Sequence, residues 1–239
     1  MIRLAMRSRI PLFPCHVRRM ILPAVAIAGC LFGASPLVVA RALDPLSVPQ
    51  KAIIAKTLLQ ADVTGGPEKE TVALVEYLTG DRGERDAVGL LLGVYDGAAE
   101  NRRLLWTRDY AASLGGFVAG GELALLDLDG DGRNEIVVQF HHHDEPGAVR
   151  VVGEILRESG GRFAIAWSGL MRLDTTGPDS VLQGPQRERF TRQLDVERTA
   201  RTHGGMVVFK KKVWVAAGIP IDPPQTIEES FPLALPGSR

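Results

Sequence analysis

Residues 127–135 read DLDGDGRNE, which places Asp127, Asp129 and Asp131 at the first, third and fifth positions of a short loop. Gly132 stands sixth and Glu135 ninth. Carboxylates at alternating positions converge when the chain turns tightly, and the glycine permits the bend. The carbonyl of Arg133, at the seventh position, would add one more oxygen. An oxygen-only set of this kind suits a hard divalent cation, calcium before any transition metal. The twelfth position, where an EF-hand carries its bidentate Glu, is Val138, and the flanks GELALLDL and EIVVQF read as strands rather than helices. The expectation is a calcium loop closing a β-hairpin. An acidic turn that only caps a hairpin would need fewer carboxylates.

A second group of ligand-type side chains comes at once: His141, His142, His143, Asp144 and Glu145. On a strand, His141 and His143 share one face and His142 takes the other. Two such imidazoles with Asp144 or Glu145 could hold zinc or copper, as in a metal-dependent hydrolase. The plainer reading is a solvated strand end, and the one other histidine after residue 42 is His203. Nucleophilic catalysis has little support: there is no G-x-S-x-G elbow, and Ser168-Gly169 lacks the flanking pattern. No glycine-rich phosphate loop comes after a strand and opens a helix. Paired carboxylates for glycoside hydrolysis are a spatial matter that sequence leaves open.

The chain around these groups has 239 residues, with 28 basic and 28 acidic side chains. Residues 1–42 hold six arginines and no acid, which leaves 22 basic against 28 acidic groups from residue 43 onward, a net charge near −6. Both cysteines, Cys15 and Cys30, also lie in that first segment. The remainder can therefore form no disulfide framework, thiolate zinc site or cysteine nucleophile, and its charge disfavours nucleic acid as a partner.

Arg18 and Arg19 precede an uncharged apolar run from Met20 to Ala40, and Ala40 and Ala42 bracket Arg41 in an A-x-A arrangement. This is the pattern of an export signal over residues 1–42. Ile27-Ala28-Gly29-Cys30 also resembles a lipobox, although the apolar run continues past Cys30. An uncleaved anchor is the third option, the run being just long enough to span a bilayer. All three place the rest of the chain outside the cytoplasm, in the periplasm or beyond, and only lipidation at Cys30 or retention of the anchor would tie it to a membrane. The arginine pair fits a twin-arginine signal only faintly, and Met6 is an alternative start.

These sites need elements to position them. Ile53, Ile54, Leu58 and Leu59 within residues 50–62 suggest a short amphipathic helix, ended by Gly65-Gly66-Pro67, so that 43–66 reads as helix and linker. From 67 to 217 short apolar runs alternate with Gly and Asp turns, ending in two longer runs, RFTRQLDVERT (189–199) and MVVFKKKVWV (206–215). That pattern predicts an all-β domain of antiparallel hairpins. Lys210, Lys211 and Lys212 read as charges guarding an edge strand rather than contacts for an anionic partner. Trp106, Trp167 and Trp214 read as core residues near strand ends, with a stacking surface for sugar or peptide as the lesser alternative. Residues 218–239, with Pro220, Pro223, Pro224, Pro232 and Pro236, read as an extended or disordered tail.

There is a faint internal repeat. Ala87 precedes Trp106 by the same 19 residues that separate Ala148 from Trp167, an offset of 61 between the two segments. The spacing is that of a propeller blade or similar sheet unit, and the chain holds about three of them, fewer than a closed propeller needs.

On the stretch LALLDLDGDGRNEIVVQF the sequence resembles the FG-GAP/VCBS repeats of integrin-type β-propellers, whose segment is strand, D-x-D-x-D-G-x-x-D, strand. Glu135 departs from that pattern at its ninth position. The resemblance covers 121–170 and, more loosely, 71–110, where GDRGERD (80–86) reads as a degenerate loop without an ion. It implies a structural calcium held by Asp127, Asp129, Asp131, the Arg133 carbonyl and Glu135. It also implies an incomplete β-propeller or curled sheet of blade-like hairpin repeats. The expected function is an exported, non-catalytic, calcium-stabilised binding or structural module with a protein or carbohydrate partner. The alternative is the extracellular hydrolase built on His141 and His143. Three incomplete units would leave sheet edges to cover, by self-association or by the 50–62 segment.

Overall fold

The computed structural model describes residues 53–78, 88–96, 103–110, 117–143, 147–202 and 205–233. Residues 1–42, expected to form an export signal and carrying Cys15 and Cys30, lie outside the described residues, as do residues 80–86, Asp144, Glu145 and His203. Four strands, β1 (Ile53–Ala61), β2 (Glu70–Leu78), β3 (Val88–Asp96) and β4 (Arg103–Asp109), form one sheet in chain order. Seven more form a second: β5 (Phe117–Leu126), β6 (Glu135–His143), β7 (Val149–Ser159), β8 (Arg162–Asp174), β9 (Arg189–Leu194), β10 (Met206–Ala216) and β11 (Ile219–Pro232). Every neighbouring pair is antiparallel, and one of the two sheets curls into a half-barrel. Among the described residues no helix is long and apolar enough to cross a membrane.

The first eight strands make the same four-stranded meander twice. Leu59 faces Val72 as Ala124 faces Val137, and Val72 faces Val94 as Val137 faces Ile155. Val94 faces Trp106 as Ile155 faces Trp167, and in both units the register shifts at the next residue, between Val94 and Tyr95 and between Ile155 and Leu156. The offset is 65 residues through the first two strands and 61 through the last two. The difference of four is the number of residues between the second and third strands, 79–87 in one unit against 144–148 in the other.

Each unit packs the same face onto strands later in the chain. Val72, Leu92, Val94 and Trp106 meet Ile136, Val138, Phe140 and Leu156 of the second unit. Their counterparts Val137, Ile155 and Trp167 meet Val207 and Phe209 of β10, with the Trp167 and Phe209 ring centroids 4.5 Å apart. Burying each such apolar side chain contributes about 1.5–3 kcal/mol. A cross-strand pair of glycines, Gly153 and Gly169, makes room for Trp167. A Cβ on Gly169 would stand 2.8 Å from the indole, and one on Gly153 would stand 2.6 Å from Met171.

Several sequence-based expectations are corrected. Residues 53–61 are strand β1, not a helix, and pair with β2 along their length. The spacing of Ile53, Ile54, Leu58 and Leu59 suits either period, and the ladder offered by β2 decides between them. The β domain accordingly begins before residue 67. Run 189–199 ends as a strand at Leu194, where the Asp195 side chain accepts from Arg198 N at 3.2 Å and caps a short helix, α1 (Val196–Arg201). Residues 219–232 of the proline-rich tail are strand β11, which among the described residues pairs only with β10; prolines are tolerated on such an edge. Lys210–Lys212 therefore lie on an interior strand, flanked by β9 and β11. Lys210 pairs with Asp195 at 2.8 Å, Lys211 with Glu229 at 3.1 Å, and Lys212 sits over the Trp214 ring at 5.2 Å.

Candidate metal centre

The loop between β5 and β6 is shaped by its own side chains. Asp127 accepts from the backbone N–H of Gly130 at 2.7 Å and of Gly132 at 3.1 Å, and Asp129 accepts from Asp131 N at 3.1 Å. Gly130 and Gly132 both lie at positive φ, 75° and 88°, where a Cβ is strained. Glu135 is buried at the start of β6, and its Oε2 accepts from Leu128 N at 2.8 Å.

Asp127, Asp129 and Glu135 each offer one carboxylate oxygen, and the three oxygens lie within 4.8 Å of one another. Two oxygens on one calcium stand at most about 5 Å apart, so this spacing fits a single ion. Asp131 is not part of that group. Its Oδ1 accepts from Arg133 N at 2.8 Å, and its Oδ2 accepts from Arg133 Nη2 at 2.7 Å and Nε at 3.0 Å. Partial burial disfavours the charged Asp131, but the Arg133 bonds outweigh it and hold the carboxyl below its ordinary range. Burial pushes Glu135 up to about 7, with the Leu128 N–H pulling back and Asp131 and Asp127 adding to the rise.

A matching loop joins β1 to β2, and sequence reading missed it. Residues 62–70 read DVTGGPEKE and stand 65 positions before 127–135. Asp62 accepts from Gly65 N at 2.6 Å as Asp127 does from Gly130 N, and Gly65 and Gly130 share φ values of 78° and 75°. Glu70 accepts from Val63 N at 2.9 Å as Glu135 does from Leu128 N, and both glutamates are 3% exposed. The loop expected to be the degenerate copy was 80–86; the structure puts the counterpart at 62–70 instead. The usable signal was Asp and Glu eight residues apart with a buried apolar residue after the Asp. It was masked because positions three and five are Thr64 and Gly66. The ninth-position Glu now has a physical reason, since the side chain must reach the N–H at position two. The loops also touch: Asn134 N donates to the Asp62 carbonyl at 2.7 Å.

His141 and His143 share a face as expected, with parallel rings, 11° apart in plane and 6.1 Å between centroids. Burial, then the His143 and Arg172 charges, hold His141 below its ordinary pKa against the pull of Glu122 and Glu76. Its ring lies on Gly120, whose φ is 64°. Among the described residues the acidic trio is the one group of three ligand-type side chains that converges.

Comparison with known proteins finds no significant match to a family model, to a curated protein or to a solved structure.

Proposed function

We propose that the chain is an exported, non-catalytic binding or structural module of the FG-GAP/VCBS type, with calcium held in the 127–135 loop. The observation that carries this reading is the clustering of Asp127, Asp129 and Glu135, whose oxygens lie within 4.8 Å of one another in the β5–β6 loop. The matching loop supports it. Residues 62–70 adopt the same turn with Thr64 and Gly66 where the second loop has Asp129 and Asp131, so those two carboxylates exceed what the turn itself requires. Packing of the same face of each four-stranded unit onto strands later in the chain is an arrangement a blade-like module would use. Calcium bound there would tie β5 to β6 and neutralise a loop rich in negative charge.

The test is a thermal melt of the protein in calcium and in chelator, with Asp129→Ala beside it. Calcium at about a hundred times its dissociation constant should add roughly 2.7 kcal/mol, a rise of several degrees. Asp129→Ala should lose that response. Coincident wild-type curves in calcium and chelator would defeat the calcium reading. The export reading is tested by intact mass of the protein from its own cell envelope, which would show cleavage after Ala40 or Ala42, or a lipid on Cys30.

A further inference from the structure

A cation already stands among the carboxylates of the 127–135 loop. Arg157, near the end of β7, ion-pairs through Nη2 with Asp129 and, at 3.5 Å, with Asp131; its Nε lies 3.4 Å from Glu135. Its side chain is 20% exposed, while those of Asp129 and Glu135 are 5% and 3% exposed. A planar guanidinium offers several donors in fixed directions and so can serve three acids from one seat.

The first unit provides an internal comparison. Val94 and Ile155 are equivalent, so the residue at the place of Arg157 is Asp96, which pairs outward with Arg103 at 3.1 Å. Its loop has Thr64 in place of Asp129, and the Thr64 hydroxyl donates to Glu70. The extra carboxylates and the arginine are thus present together in one unit and absent together from the other. That pairing is what a single device would leave in two copies of one framework. A loop that needed only its turn would have kept neither.

We propose that the Arg157 guanidinium is the resident cation of this loop, so that a divalent ion and Arg157 are alternative occupants of one seat. The proposal rests on the calcium reading and states how that site is regulated. With Arg157 seated, the end of β7 is tied to the loop and the acids are compensated without metal. Entry of an ion breaks three contacts of Arg157 and releases its charge to the surface beside Glu158, whose carboxylate meets Arg133 at 3.5 Å. The ion is therefore bound more weakly than its oxygen ligands alone would give. The site responds in the concentration range of extracellular calcium modules, about 0.1–1 mM.

Calorimetric titration of the full-length protein with calcium chloride tests this, comparing wild type with Arg157→Gln and Arg157→Lys. Removing the competitor should tighten calcium binding in Arg157→Gln by about tenfold or more. Arg157→Lys, with one compact charge in place of the fork, should fall between. Equal affinity in wild type and Arg157→Gln would overturn the proposal and leave the calcium reading standing. No binding by either up to about 10 mM calcium would remove that reading and the proposal with it. Should Arg157→Gln fail to fold by circular dichroism, Arg157→Lys decides, and an affinity equal to wild type overturns the proposal.

Discussion

Replacing Glu70 with alanine should destabilise the first loop by an amount that owes nothing to metal. Glu70 is 3% exposed, and its two oxygens serve Val63 N, at 2.9 Å, and the Thr64 hydroxyl. Val63 is itself 2% exposed, so its N–H would find no water to replace the lost acceptor. Leaving a buried donor unpaired costs about 1–3 kcal/mol, and loss of the Thr64 bond adds roughly 0.5–1.5 kcal/mol. The total is about 2–4 kcal/mol, or a fall in melting temperature of roughly 5–12 °C for a domain of this size. Glu70→Gln keeps an oxygen for Val63 N and should lose about 1 kcal/mol. Differential scanning calorimetry in calcium and in chelator is the assay. The fall in Glu70→Ala should be the same in both, because this loop lacks carboxylates at positions three and five. A melting temperature within about 1 °C of wild type, or a fall that appears only in calcium, would refute the view of this glutamate as a metal-independent clasp.

Three other perturbations probe the same geometry. Glu135 has a folded-state pKa near 7 against an ordinary 4.5, so the folded chain holds its proton more tightly than the unfolded chain. Without metal its contribution is therefore fully present below about pH 4.5 and is lost as pH rises through 7, a decline of at most roughly 3 kcal/mol, because Arg157 at 3.4 Å steadies the carboxylate. Urea titrations of chelated protein between pH 4.5 and 8 should show this decline in wild type and a flatter curve in Glu135→Gln; parallel curves would count against it. Arg108 Nη2 meets the buried Glu154 at 3.0 Å between the two sheets, so Arg108→Met should cost about 3–5 kcal/mol in urea unfolding. Adding Glu154→Leu should recover most of that loss, and a double variant no better than the single would contradict the pairing. Gly147→Ala should cost about 3 kcal/mol or more, because its Cβ would fall 2.2 Å from the Asp179 backbone at a φ of 72°. Gly160→Ala, at a φ of 61° but with nothing within 4 Å, should cost only about 1–2 kcal/mol in the same melts.

The antiparallel architecture was legible because its strands carry their own marks, such as the apolar runs of β3 and β6 set off by Gly and Asp turns. The acidic loop was legible because Asp127, Asp129 and Asp131 stand close together along the chain at a fixed spacing. Most of what escaped notice depended on partners distant in sequence. Residues 53–61 pair with β2 only because 62–70 turns the chain back, and the Gly65-Gly66-Pro67 in that turn resembles a helix terminator. Arg157 lies 22 residues from Glu135, and only the β6–β7 hairpin brings it to the loop. Nor does sequence spacing reveal that Asp131 turns to Arg133 rather than inward, since that choice depends on a guanidinium two residues away.

The strand order of the two sheets bears on how this chain reaches its native state. Among the described residues every hydrogen-bonded strand pair joins consecutive strands, from β1 with β2 through β10 with β11. Ladders can therefore form by closing one short loop at a time, which costs little chain entropy per step. A β protein wired in this way should have a low contact order for its class. It should fold faster than a Greek-key sandwich of equal length, whose partner strands must first find each other across long connections. The non-local steps are then the docking of one finished meander on the next through Val94, Trp106 and their neighbours, as in proteins assembled repeat by repeat.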